Sequence, residues 1–145
     1  MLKSKKHIDR PMNADTKLKR DKVMNIINEA RYVRKYNLGS YKKNFIKVRI
    51  TDTTDGNEHV LASARMGGYW IWVTAKTTER KDLVAVVLHE VLHTVLSTPH
   101  HKGCPLMDPK AQNCSDEDAW RLFDYYYNLP SRNLKRIFNT ELEEA

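Results

Sequence analysis

Residues 83–101 read LVAVVLHEVLHTVLSTPHH, and the fold turns on this stretch. From Leu83 to Leu96 apolar residues fall on nearly every side, which marks a helix in the interior rather than on the surface. Inside it sits His89-Glu90-Val91-Leu92-His93. Histidines four residues apart project from one helical face, so His89 and His93 can share one ion. Zn²⁺ suits such a pair, taking imidazole nitrogens at about 2.0–2.1 Å in tetrahedral geometry. Glu90 leans toward the open side of that ion, where a carboxylate can take a proton from a zinc-bound water and pass it to a leaving amine. Imidazoles and a carboxylate are costly in an apolar helix unless something pairs with them. The bland alternative has two core histidines bonded to backbone carbonyls, with Glu90 facing solvent.

A zinc site that does chemistry takes three protein ligands and keeps a fourth position open. The nearest candidates are His100 and His101, seven and eight residues beyond His93. Pro99 does not fit a helix interior, so the chain must turn near Ser97-Thr98, and that turn can swing His100 back toward the ion. His101 stays open as the alternative. From Ser97 to Asn113 the chain holds two His, one Gly and three Pro. An irregular loop of that length inside a domain is uncommon and usually functional. Cys104 and Cys114 are too few for a disulfide framework and read as free thiols, with a local bridge as the alternative.

Working outward, Asn13 or Asp15 can cap a helix carrying Leu18, Val23, Met24, Ile26, Ile27, Ala30 and Val33 at roughly helical spacing, with Gly39 as its stop. Phe45 to Ile50 alternates apolar and polar residues and predicts a strand. Thr51 to Asn57 reads as a loop, Val60 to Met66 as a second strand, Gly67-Gly68 as a turn, and Tyr69 to Thr74 as a third strand. Ser115 caps a last helix whose inner face is Ala119, Trp120, Leu122, Phe123 and Tyr126, ending at Pro130. Leu134, Ile137 and Phe138 suit a further short helix. The pattern is α+β: a basic, mobile tail over 1–12, then one domain over 13–145.

Composition agrees. The 145 residues are 41% hydrophobic and 30% charged, with five Gly and five Pro, which excludes collagen-like, low-complexity and most disordered classes. The longest apolar run, Leu83 to Leu88, is far short of the roughly 20 residues of a membrane span. The basic start MLKSKKHIDR has no apolar stretch behind it, so no secretory signal is visible. The expectation is a soluble chain, cytoplasmic or particle-associated, with no membrane partner. Net charge is +7, unevenly spread: residues 1–49 carry 15 Lys/Arg against four Asp/Glu, and residues 50–145 carry 10 against 14. The basic front half suits nucleic acid or an acidic partner, although its cations are not interleaved with aromatics as a single-strand platform requires.

The stretch HEVLHTVLSTPHHKGCPLMDP (89–109) resembles the zinc-binding region of the metzincin metalloproteases, their matrixin branch in particular. The resemblance implies a zincin fold: a small twisted sheet, an N-terminal helix, the HExxH helix, then a C-terminal helix after a Met-turn. It implies one catalytic zinc on His89, His93 and His100, with Glu90 as catalytic base. Met107 and Pro109 would stand in the Met-turn, Met107 as an apolar floor beneath the ion. Trp70, Ile71 and Trp72 would lie on the edge strand where an extended peptide substrate adds by main-chain hydrogen bonds. Two positions depart from the family pattern: Leu96 stands where the family has Gly and Pro99 where it has the third ligand, so His100 needs one extra residue in the turn. The leading expectation is a zinc-dependent endopeptidase. Its rivals are a silent, metal-stabilised structural protein and a protease tethered to nucleic acid through the basic front half.

Overall fold

In Lys47–Thr53 the side chains alternate, Val48 and Ile50 buried against Lys47 and Arg49 exposed, as one covered sheet face demands. This strand, β2, belongs to a four-stranded sheet with β1 (Ile8–Asp9), β3 (Ala62–Ala64) and β4 (Trp70–Thr74) in the order β1-β2-β4-β3. The computed structural model describes residues 7–38, 46–53, 60–110 and 113–129. Strands β2 and β4 run parallel, Lys47 opposite Trp70 through Thr51 opposite Thr74, while β1 and β3 are antiparallel to their neighbours. Three α-helices among the described residues complete the fold: α1 (Ala14–Asn28), α2 (Leu83–Leu96) and α3 (Asp116–Tyr127).

Local chemistry explains the helix bounds. The Asn13 side chain accepts from the Thr16 N–H at 2.9 Å, and the Ser115 hydroxyl accepts from the Asp118 N–H at 3.1 Å, each satisfying a donor that the first turn leaves bare. After Asn28 the backbone widens into a π turn over Glu29–Val33. This exposes Val33 (72%), and Leu18 lies on the solvent side of α1 (67% exposed), so neither joins the expected apolar face. The core is instead closed by Val23, Ile27 and Ala30 of α1, by Ile71 and Val73 of the sheet, by Val87, Leu88, Val91 and Leu92 of α2, and by Phe123 of α3. Helix α2 packs on β3, β4, α1 and α3 at once, which is why it tolerates apolar residues all round.

The structure corrects three expectations about the sheet. Residues 8–9 of the expected tail form β1, because the outer edge of β2 offers unpaired backbone groups; the Arg10 N–H donates to the Ile50 carbonyl at 3.0 Å, and Asp9 pairs with Arg49. Strand β2 runs on to Thr53 instead of yielding to a loop at Thr51, held by β4 on one side and β1 on the other. The strand expected over Val60 to Met66 shortens to Ala62–Ala64. No described helix is long and apolar enough to cross a membrane. Phe45, Gly39, Pro130 and the expected helix at Leu134, Ile137 and Phe138 lie outside the described residues.

Replacing Ser115 by Ala removes the cap of α3 without touching the core. It should cost about 1 kcal/mol and lower Tm by roughly 3 °C, measured by calorimetry.

Candidate metal centre

Helix α2 carries His89 and His93 on one face and stops at Leu96. Ser97 takes the left-handed conformation (φ 52°, ψ 36°), and the Thr98 N–H folds back to the Leu92 carbonyl at 3.1 Å. The chain thus reverses in the Ser97-Thr98 turn that Pro99 requires, with Ser97 doing what glycine more often does. The reversal returns His100 to the helix. His89, His93 and His100 each offer a ring nitrogen, all within 4.8 Å of one another. The three ring centroids lie 4.6 to 5.1 Å apart.

The first two rings have no choice of tautomer. Nδ1 of His89 faces the Leu106 carbonyl at 2.7 Å, and Nδ1 of His93 faces the Thr98 carbonyl at 2.5 Å. A carbonyl only accepts, so both Nδ1 atoms carry the proton and both Nε2 atoms present lone pairs. Those Nε2 atoms face each other at 3.0 Å. Two acceptors at that distance repel unless a cation lies between them. A tetrahedral ion with nitrogens at about 2.0–2.1 Å holds its ligand atoms about 3.3 Å apart, close to the separation found. The bland alternative was half right: both histidines do bond backbone carbonyls, and that bonding aims their other nitrogens at one point. The cluster can hold a single transition-metal ion.

Electrostatics favour the ligating forms. Burial pushes the His89 pKa down to about 4, against the opposing pull of the Leu106 carbonyl, with His93 and His100 lowering it further. His93 is lowered chiefly by burial, and so is His100, although the nearby Asp108 carboxylate works the other way. The rings are therefore neutral near pH 7, as metal binding needs.

A cleft of about 450 Å³ opens onto the three histidines, bounded on one side by β3 and on the other by Pro105, Leu106, Asp108 and Pro109. Glu90 lines it and is only 6% exposed, so it does not point out to bulk solvent. Asp82, at the start of α2, also lines the cleft; its carboxylate accepts from Nε and Nη2 of Arg80 (2.7 and 3.0 Å) and from the Asn113 N–H (3.2 Å). Those bonds, Arg80 first, hold its pKa below the usual carboxylate range and tie the far end of the loop to the helix.

The remaining expected residues fall differently. His101 turns away from the cluster: its Nδ1 meets the Tyr126 hydroxyl at 3.1 Å, and that hydroxyl also reaches the Cys104 sulfur at 3.3 Å. Cys104 and Cys114 are free thiols. Met107 is wholly buried and does not line the cleft; its carbonyl accepts from the His101 N–H at 3.0 Å. What this turn gives the histidines is the Leu106 carbonyl. Trp70, Ile71 and Trp72 lie on β4, which is flanked by β2 and β3 and is not an edge. None of the three borders the cleft, because the short β3 intervenes. The residues missed from sequence are those whose carbonyls accept from the histidines, Thr98 and Leu106, and the strand Ala62–Ala64. Backbone acceptors leave no mark in side-chain spacing. Strand β3 left a weak one, a short small-residue run before Gly67-Gly68.

Two outcomes follow from this geometry. His100→Ala should weaken metal binding by more than about 100-fold, since even supporting partners of metal ligands cost 10–100-fold. His101→Ala should leave stoichiometry unchanged, as read by titration calorimetry and metal analysis of the dialysed protein. In the metal-free protein, the folded His89 titrates near 4 and the unfolded one near 6.5, so the unfolded chain binds more protons between those values. Stability is then full above about pH 6.5 and falls as pH drops toward 4, by on the order of 3 kcal/mol for this group. Urea melts across that range measure it; a flat midpoint would mean that His89 is not held neutral.

Comparison with protein-family models, with curated proteins and with solved structures finds no match to this chain.

Proposed function

We propose that this chain is a zinc-dependent endopeptidase. The observation that carries the reading is the facing pair of His89 and His93 Nε2 atoms, locked by carbonyls, with His100 beside them and Glu90 in the same cleft. His89, His93 and His100 would hold the zinc ion, which would supply an acidified water and a Lewis acid for the scissile carbonyl. Glu90 takes the proton from the attacking water. The water oxygen bonds to the carbonyl carbon, the C–N bond breaks, and Glu90 gives the proton to the departing amine. The products are a carboxylic acid and an amine, which at neutral pH settle as a carboxylate and an ammonium. The partly apolar walls around Glu90 keep bulk water from competing for that proton.

Substrate placement follows the corrected sheet. The outer edge of β3 pairs with no strand among the described residues and borders the cleft. An extended peptide adds along Ala62–Ala64 by main-chain hydrogen bonds, and its scissile bond then lies over the histidines. This places Trp70, Ile71 and Trp72 one strand away from the substrate. The reading as a purely structural metal site is less well supported. Such a site takes four protein ligands, whereas only three come together among the described residues, and His101 and Cys104 are both engaged by Tyr126.

Glu90→Gln tests the mechanism. It preserves shape and metal content while removing the proton carrier, and should slow cleavage of an unstructured protein such as casein by about 10²–10⁴-fold. Loss of cleavage in the presence of a chelator, restored by added zinc, accompanies it. Full activity in the Gln variant would refute the mechanism.

A further inference from the structure

The outer face of the sheet carries a second arrangement that the metal centre does not use. The alternation that buries Val48, Ile50, Ile71 and Val73 turns Lys47, Arg49, Trp70 and Trp72 to the opposite side. Register sets Lys47 beside Trp70 and Arg49 beside Trp72. The two indoles lie 6.4 Å apart and nearly parallel, 22° between their planes. Arg49 sits over Trp70 at 4.7 Å, and Lys47 lies 5.4 Å from the same ring and 5.7 Å from Tyr69. His7 lies flat on Trp72, centroids 4.1 Å apart and planes 6° apart. One indole thus already carries a planar nitrogen heterocycle, supplied by the chain itself.

Charge continues the pattern. Beyond Trp70 this face borders a groove of about 660 Å³ between β2 and α1, where Arg10, Arg20, Lys47 and Arg49 stand with Asp9 and Asp21 around an apolar floor that includes Met24, Ile46, Val48 and Ile50. Asp9 is taken by Arg49. Among the described residues no carboxylate pairs with Lys47 or Arg20, so two cations are left for an anionic ligand. The sequence separates its cations from its aromatics; the parallel pairing of β2 with β4 interleaves them.

We propose that this face binds single-stranded nucleic acid, bases stacking on Trp70 and Trp72 while backbone phosphates pair with Lys47 and, in the adjoining groove, Arg20. A duplex hides the base faces that indoles need. An acidic peptide uses the cations and leaves the rings idle. A lipid surface calls for apolar side chains that protrude, whereas these rings are half-buried. The inference is independent of the peptidase reading, and either can fail without the other.

The test uses the full chain and labelled oligothymidylate and oligouridylate of about 12 nucleotides, within the usual site size. Binding is read by anisotropy and by tryptophan quenching over a salt series. Binding to either strand supports the proposal, and the tighter of the two identifies the sugar. Lys47→Gln should weaken binding several-fold and reduce the salt slope by about 0.7. Trp72→Leu should weaken it by roughly 10-fold and remove part of the quenching. Lys47 is exposed and outside the core, so its variant decides the matter even if Trp72→Leu fails to fold. An unchanged affinity and slope in Lys47→Gln would overturn the proposal. So would equal binding of a duplex, or capture by anionic phosphatidylserine vesicles with no binding of either oligonucleotide.

Discussion

Two hydrogen bonds govern the site: an imidazole Nδ1–H of α2 on the Leu106 carbonyl, and another on the Thr98 carbonyl. Each is ordinary alone, but together they fix the tautomer of two neighbouring rings and leave two lone pairs confronting each other. The rest of the local fold can be understood as the means of bringing those carbonyls into place. Helix α2 has to end within one turn of His93, or Thr98 could not fold back to it. Ser97 accepts a left-handed backbone for this reason. The Gly67 N–H, donating to the His93 carbonyl at 3.0 Å, secures the same helix end from the sheet side. Gly67 itself is required there: its φ is +69°, and a Cβ would lie 3.0 Å from the Ser97 hydroxyl.

The loop after α2 is held just as closely, which is how an irregular segment can present ligands with precision. Asp108 accepts from the Gly103 and Lys110 N–H groups at 2.8 Å each, and the Asp108 N–H donates to the Cys104 carbonyl at 3.0 Å. Those two N–H bonds account for the depressed pKa of the Asp108 carboxyl more than any charge does. Tyr126 of α3 then anchors His101 and Cys104 from below. Helix α3 therefore contributes to the centre without supplying a ligand, by stopping the loop from drifting away from α2. His100 and not His101 joins the cluster, with Tyr126 engaging His101 elsewhere.

What could be read from the sequence was whatever depends on residues near each other in the chain. The bounds of α2, the caps at Asn13 and Ser115, the pair His89 and His93, and the turn forced by Pro99 all arise within a few positions. Pairing between strands does not. Nothing in Tyr69 to Thr74 tells whether that segment lies at an edge or inside, since β-prone aromatics suit both places. The answer is a tertiary one: β4 takes β2 as a parallel partner and leaves the edge to Ala62–Ala64, whose small side chains gave little signal. The two residues of β1 were equally hidden, being recruited by the open edge of β2 and not by any pattern of their own. Backbone acceptors form a third class of invisible feature. Leu106 and Thr98 act through main-chain oxygens, which every residue possesses.

Strand β4 shows how much a period of two can accomplish. Within its five residues, the even-numbered tryptophans and the odd-numbered Ile71 and Val73 serve opposite faces of one sheet. The inner set packs in the core that carries α2, and with it the histidines. The outer set is free of that duty, so its composition answers to something else. A solvent-facing strand that needed only solubility would carry Lys, Glu or Thr, and two indoles placed side by side under cations cost exposure of apolar area with no gain in the core. That expense makes sense if a ligand covers the rings. Because the two faces are separated by the thickness of the sheet, substitutions on the outer one leave the imidazole cluster undisturbed, and each surface can be altered without altering the other.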